Sequence, residues 1–269
     1  MTVIPVTGET KFYALIGHPV QQVRTPSVLN AYLKKHEIDA IMVTFDLLPE
    51  AVKSFFKMLR GCENCLGCCV TIPHKTIAFE SVDKVTERSQ RIGAVNIIRR
   101  ETSGQLIGDM TDGQGFLAAL KKHNSVVSKK HVVLIGAGGA GSAIADSIAN
   151  AGARELSILE INKPRQKTLI STLTQCYPNV IFNDIAGDPS TIQVLINASP
   201  LGMAKEDALP FPLDGLPRDA IIADVITKPD VTPLLELARK TGHTIQRGKE
   251  MAEAQLPMFL DFLNIPEKN

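Results

Sequence analysis

The chain has 269 residues with 29 basic and 28 acidic side chains, a formal net charge of +1 at pH 7. That length suits one large or two modest domains with a sizeable core, and the balanced charge excludes the basic footprint of a nucleic-acid or membrane-surface binder. No apolar run approaches a bilayer span, and the opening MTVIPVTGETK lacks a charged-then-apolar leader pattern, so a cytoplasmic protein is expected. Hydrophobic residues make up 44% and aromatics only 5%, with no Trp. The core must therefore rest on Ile, Leu, Val and Ala, as in parallel sheets buried on both faces.

The first half alternates strand and helix patterns. Lys11 to Ile16 reads as a strand turned by Gly17-His-Pro19, and Pro26 to His36 as a helix with Thr25 placed to cap it. Ile41 to Phe45 is a second strand. Leu48 to Arg60 is an amphipathic helix with Val52, Phe55, Phe56 and Leu59 on one face. Cys69 to Ile72 makes a third strand, with Pro73-His-Lys75 at its carboxyl end. Helices are expected around Thr76 to Val82 and Asp83 to Gly93. A hairpin then pairs Val95 to Arg100 with Gln105 to Gly108 across Thr102-Ser-Gly104.

A helix follows Gly113 through Leu120, and after it comes the most informative stretch. His131-Val-Val-Leu-Ile135 is an apolar strand, Gly136-Ala-Gly138-Gly139-Ala140-Gly141 a tight turn, and Ser142 to Ala151 a helix. Leu156-Ser-Ile-Leu-Glu160 is a second strand closed by an acid. A bare GxGxxG is weak evidence, but the strand before it, the helix after it and the acid all agree. Gly136 permits the sharp turn, Gly138 lets backbone approach a pyrophosphate, and Gly141 lets helix and strand pack closely. The helix N-terminus offers unpaired N–H groups and a positive dipole end to the phosphates. The stretch predicts a dinucleotide-binding unit. Further strands are expected at Val180 to Phe182, Val194 to Asn197, Ala220 to Val225 and Thr244 to Gln246. A helix from Thr232 to Thr241 stops at Gly242, and Gly248 to Leu263 reads as one long helix.

Four of the five cysteines crowd into Cys62, Cys65, Cys68 and Cys69, which superficially resembles a metal or iron–sulfur site. Against that, alternation along a strand sends neighbouring cysteines to opposite faces, and no second ligand group stands elsewhere at metal spacing. The expectation is reduced thiols in a loop and a buried strand, with no metal.

Six motifs in order carry a family resemblance: CVTIPHK from Cys69, GAVN from Gly93, GDMTDGQG from Gly108, GAGGAG from Gly136, NASPLGM from Asn197 and EMAEAQ from Glu250. Together they resemble shikimate dehydrogenases and their quinate-using relatives, from Ala14 to Phe262. The resemblance implies a reversible NAD- or NADP-dependent hydride transfer at a ring hydroxyl, within aromatic amino-acid biosynthesis through chorismate. It makes Lys75 the catalytic lysine and Asp112 its paired acid, able to move the hydroxyl proton as hydride leaves the same carbon. Thr71, Asn96 and Gln255 match positions that hydrogen-bond the ring hydroxyls, and Thr25 a position in the carboxylate-binding loop. Taken alone, Thr71 and Asn96 read as strand-end or turn residues. Gly136, Gly138, Gly139, Ala140, Gly141 and Glu160 would hold the dinucleotide, with Asn197, Met203 and Met251 near the nicotinamide. Core packing is an equal reading for Met251.

The sequence also departs from the family. The carboxylate-binding loop, with two serines in the family's pattern, is here Val23-Arg24-Thr25-Pro26, so one hydroxyl is gone. Losing a donor to a charged group costs on the order of 1.5–3 kcal/mol. Cys69 replaces an asparagine and Thr227 a tyrosine. The substrate is therefore shikimate or a related cyclic hydroxy acid, with quinate- or aminoshikimate-type chemistry and a non-catalytic dinucleotide sensor as alternatives. Glu160-Ile-Asn-Lys163 stands where NADP-using members carry an arginine stretch, and an acid there bonds a ribose 2′-OH and repels a 2′-phosphate. NAD is favoured, although Lys163 and Arg165 stand close by. The expected α/β architecture is an N-terminal substrate domain, residues 1–110 completed by the C-terminal helix at 248–269, plus a Rossmann-type dinucleotide-binding domain at 111–247. Its partners are a small-molecule substrate and at most a second copy, as monomer or homodimer.

Overall fold

The computed structural model describes residues 6–204 and 206–266, so the first five residues of the expected leaderless start lie outside it. The chain divides into two units, Met1–Thr111 with Leu256–Asn269, and Asp112–Gln255.

The first unit holds β1 (Lys11–Gly17), β2 (Ala40–Asp46), β3 (Cys65–Val70), β4 (Lys84–Val85), β5 (Ile97–Arg100) and β6 (Leu106–Asp109), in the order β2-β1-β3-β5-β6-β4. β1 runs parallel to β2 and β3, whereas β5 is antiparallel to β3 and β6. Side chains alternate across this sheet. Ala14, Ile16, Cys68 and Val70 meet Val52, Phe55, Phe56 and Leu59 of α2 (Pro49–Gly61). Tyr13, Leu15 and Cys69 cluster instead with Leu29 and Leu33 of α1 (Thr25–Lys35) and with Phe259 and Leu260. Cys65, Cys68 and Cys69 are thus core residues, and burial pushes the Cys65 thiol up to about 12, which leaves it unreactive.

Two local expectations are corrected here. Thr25 does not cap α1: it is the first helical residue, and Arg24 precedes it in a helical backbone conformation with no side-chain cap. The carbonyl of Arg24 already accepts from Ser27 and Val28, so the turn begins before the threonine. After α3 (Lys75–Ser81), the stretch from Asp83 is not one helix. Asp83 accepts from Leu106 N–H at 2.8 Å, β4 pairs with β6, and only α4 (Glu87–Ile92) is helical.

The second unit carries α5 (Asp112–Lys122), β7 (His131–Ile135), α6 (Gly139–Asn150), β8 (Glu155–Leu159), α7 (Lys163–Cys176), β9 (Ile181–Asn183), β10 (Val194–Asn197), β11 (Ile221–Asp224), α8 (Pro233–Lys240), β12 (Thr244–Gln246) and α9 (Gly248–Ala254). Its sheet, β12-β11-β10-β7-β8-β9, is parallel throughout. One face packs on α5, α6 and α9 through Phe116, Leu120, Ile144 and Met251, the other on α8 through Leu234, Leu235 and Ala238. Burial on both faces explains the unbroken apolar strands. Among the described residues, no helix is long and apolar enough to cross a membrane.

The long C-terminal helix is also corrected. It breaks at Gln255 into α9 and α10 (Leu256–Phe262), where Pro257 has no N–H to continue the ladder. α9 lies within the second unit: Met251 and Ala254 are core residues there, and Glu250 meets His123, just past α5, at 3.3 Å. Helix α7 goes unassigned in the sequence pattern because it buries only Gln166, Leu169 and Leu173.

Candidate active site

In the first unit the polar candidates collect at the carboxyl ends of β1 and β3. Gly17 ends β1, and a Cβ there would sit 2.3 Å from Thr71 Cγ2, so the glycine makes room for that threonine. Thr71 donates its N–H to Ile16 and accepts from His74, which turns the chain into α3 with Lys75 as its first residue. His74 is fully buried, and its Nε2 lies 2.7 Å from the Leu47 carbonyl, fixing the start of α3. Val95 N–H donates to the Lys75 carbonyl and Val70 N–H to the Asn96 carbonyl, so Asn96 stands beside the same strand end. The Asn96 side chain accepts from Thr111 N–H at 2.9 Å, with Thr111 Oγ1 3.1 Å from its Nδ2. Lys75, Thr71 and Asn96 are brought together. Thr25 opens α1, and Val23 is half-buried against the apolar cluster of Leu29 and Leu33.

In the second unit Asp112 opens α5 and Gln255 closes α9. Both are buried, and Gln255 Nε2 donates to Asp112 Oδ1 at 2.9 Å. A Cβ on Gly115 would fall 2.2 Å from Gln255 Cγ, so the close approach of α5 and α9 needs that glycine.

The glycine turn has the geometry its sequence implies. Gly136 has φ +98°, and a Cβ there would strike the backbone of Ala198 and Ser199 at 2.8–2.9 Å. Gly138 precedes α6, which begins at Gly139 and Ala140, and a Cβ on Gly138 would meet nothing within 4 Å. A Cβ on Gly141 would lie 2.0 Å from the Gly136 carbonyl. The first helical bond runs from Ser142 N–H to Gly138, so the N–H groups of Gly139, Ala140 and Gly141 open on the helix end. The open space at Gly138 and those N–H groups fit a pyrophosphate. Glu160 accepts from Ala137 N–H at 2.8 Å and Asn162 N–H at 2.9 Å, with Arg165 at 3.8 Å. Burial raises its carboxyl, but the two N–H groups and the arginine outweigh that and hold it below the usual glutamate range.

Asn197 ends β10, fully buried, and its Nδ2 donates to Leu201 and to Asp224 Oδ2. Met203 is exposed in the loop beyond, whereas Met251 is 7% exposed within the second unit's core, as the packing reading has it. Sequence reasoning passed over Thr111, His74 and Asp224. The signal for Asp224 was an acid closing the apolar run Ile221–Asp224, the same pattern that singled out Glu160.

A glycine-turn nucleotide unit, in one chain with a lysine at the strand ends of a second α/β unit, defines an NAD(P)-dependent dehydrogenase. Residues 15–98 match the family profile of the shikimate dehydrogenase substrate binding domain. A shikimate dehydrogenase (NADP(+)) of Rhodospirillum rubrum is 34% identical over 243 residues, 88% of this chain and 86% of that one. The chain belongs to the shikimate dehydrogenase family. Among solved structures, shikimate 5-dehydrogenase of Listeria monocytogenes with shikimate and NAD matches at TM-score 0.87 and 26% identity, over 99% of this chain and 96% of that one. The 5-ketofructose reductase of a Gluconobacter strain matches at TM-score 0.84 and 27% identity, over 97% and 95%.

Proposed function

We propose that this chain moves a hydride reversibly between a nicotinamide and the ring hydroxyl of shikimate or a related cyclic hydroxy acid, with NAD as the preferred cofactor. The observation that carries this reading is the bond from Gln255 to Asp112, which joins two matched positions 143 residues apart. A chain that had become a mere dinucleotide sensor would have no need to keep this buried acid held and aimed.

Lys75 takes the hydroxyl proton when the carbon is oxidised and returns it in reverse, with Asp112 as its paired acid. Gln255 orients Asp112, while Thr71, Asn96 and Thr25 hold the substrate's oxygens. The bound nicotinamide supplies the hydride acceptor. The Gly136–Gly141 turn holds the pyrophosphate, with Asn197 and Met203 at the nicotinamide half and Met251 filling the core. Glu160, kept ionised, accepts from a ribose 2′-OH and disfavours a 2′-phosphate. A cytoplasmic setting and a monomer or homodimer go with this reading, as does a place in chorismate biosynthesis.

One observation favours a second substrate class. Val23 turns an apolar side chain into the cluster where the family's pattern has a hydroxyl for the carboxylate. A neutral polyhydroxy ketone, of the kind named for the Gluconobacter reductase, needs no such donor. Initial rates with shikimate, quinate and 5-ketofructose, each with the NAD and NADP couples, decide between them. Turnover confined to the neutral substrate overturns the hydroxy-acid reading.

A further inference from the structure

Asn197 and Asp224 are register partners at the carboxyl ends of neighbouring strands β10 and β11. The Asp224 side chain is 1% exposed and receives three donors: Ile226 N–H at 2.9 Å on Oδ1, with Asn197 Nδ2 at 3.1 Å and Thr232 Oγ1 at 2.8 Å on Oδ2. Each donor belongs to a different segment. Ile226 lies in the loop after β11, Thr232 caps α8, and Asn197 governs the loop after β10. That last loop is fastened by Asn197 Nδ2 on Leu201 O and by Ser199 N–H and Oγ on Asn197 Oδ1. The segments press on the nucleotide unit directly. The Ala198–Ser199 backbone abuts Gly136, and the carbonyls of Val225 and Ile226 abut Gly248, where α9 begins.

We infer that Asp224 is a positioning residue that clamps the loops after β10 and β11 into the shape that receives the nicotinamide half of the cofactor. The inference rests on the dinucleotide reading above. All three bonds are strongest to a carboxylate, so an added proton weakens them and the ionised form holds the clamp tightest. Burial pushes this carboxyl up to about 6 against the pull of its donors. Other titratable groups on the surrounding elements are engaged or exposed. Asp230 pairs with Arg247 at 3.0 Å, Glu236 with Lys240 at 3.5 Å, and Asp207 accepts from Gly202 and Ala204. Lys228 and Arg239 are exposed, and β10 and β12 carry no titratable side chain.

The test is NAD affinity by calorimetry from pH 5 to pH 8 in the full chain and in Asp224→Asn, Thr232→Ala and Thr232→Ser. The wild type should bind about tenfold more weakly at pH 5 than at pH 7, as the competent fraction falls. Asp224→Asn should bind weakly with no such step. Thr232→Ala removes one donor to the ionised carboxyl and should move the step to higher pH, with Thr232→Ser restoring it. If Asp224→Asn does not fold, the Thr232→Ala midpoint decides alone. A wild type whose affinity does not change with pH, or an unmoved step in Thr232→Ala, overturns the clamp. Absence of NAD and NADP binding at every pH overturns the dinucleotide reading itself, and the clamp with it.

Discussion

Gln255 reaches across 143 residues of sequence to donate its side-chain amide to Asp112 at 2.9 Å. Both residues are buried, so the bond is made to a carboxylate with little water to replace it. A hydrogen bond to a charged group contributes about 1.5–3 kcal/mol. Gln255→Leu should therefore lower kcat/KM by roughly tenfold to a hundredfold, with kcat falling as well as KM rising. A change in KM alone would make Gln255 a substrate ligand only.

The glycine turn separates folding from binding. Gly138 has room for a methyl and an ordinary φ of −71°, so Gly138→Ala should melt within a degree or two of the wild type. Its NAD affinity should nevertheless fall about tenfold, ~1.4 kcal/mol, because the methyl stands where backbone meets the pyrophosphate. Gly141→Ala sets a Cβ 2.0 Å from a backbone carbonyl and should destabilise the fold by about 1–3 kcal/mol. Equal melting of the two variants would contradict the assignment.

Glu160 takes one backbone donor on each carboxylate oxygen, so Glu160→Gln removes the repulsion but keeps an acceptor for only one of the two N–H groups. The ratio of NADP to NAD turnover should rise about tenfold, a shift of ~1.4 kcal/mol. An unchanged NADP to NAD ratio would take cofactor choice away from this residue.

Restoring a hydroxyl by Val23→Ser should lower the KM for shikimate by roughly tenfold if the substrate carries a carboxylate. The companion change Cys69→Asn is unsuitable, because Cys69 is 3% exposed in the apolar cluster of Leu15 and Leu29. An unpartnered amide there would cost about 1–3 kcal/mol. A KM unmoved in Val23→Ser would favour the neutral substrate class.

Glu250 ties α9 to its surroundings, accepting from Arg247 N–H at 2.7 Å with His123 at 3.3 Å. Burial opposes its ionisation, but the Arg247 N–H and the charges of His123 and Arg247 prevail, so its folded pKa lies below the ordinary 4.5. A lowered carboxyl stabilises the fold above its unfolded value and loses that contribution as pH falls through the folded one. The melting difference between wild type and Glu250→Gln should be full at pH 7 and shrink as pH drops below about 4.5. A difference that grows with acid would contradict the ion pairing.

What could be read from sequence was what neighbours in sequence decide. The β7–turn–α6–β8 unit is local: its strands, glycines and terminal acid fall within thirty residues, so spacing alone reports the geometry. Helix α7 was hidden because its buried side is narrow and includes Gln166, which bonds to the Ile158 and Asp184 carbonyls rather than packing as an apolar residue. The break at Gln255 follows from Pro257, a local signal that the apolar pattern overrode, whereas the pairing of α9 with α5 depends on contacts more than a hundred residues away, which no local periodicity encodes. The bond of Thr111 to Asn96 and the three donors on Asp224 span only 2 to 27 residues, but they depend on how separate segments turn back on one another, which periodicity does not report.

The central claim is that Lys75 and Asp112 serve turnover rather than cofactor binding. The most direct test is reduction of NAD by wild type and Lys75→Ala over the panel of cyclic hydroxy acids and neutral polyols, with NAD affinity measured on both proteins. Turnover by the wild type that falls by a thousandfold or so in Lys75→Ala, on the scale of a lost proton-transfer group and with NAD affinity unchanged, is the predicted result. Equal turnover in the two proteins, or NAD binding with no turnover on any substrate, would contradict it.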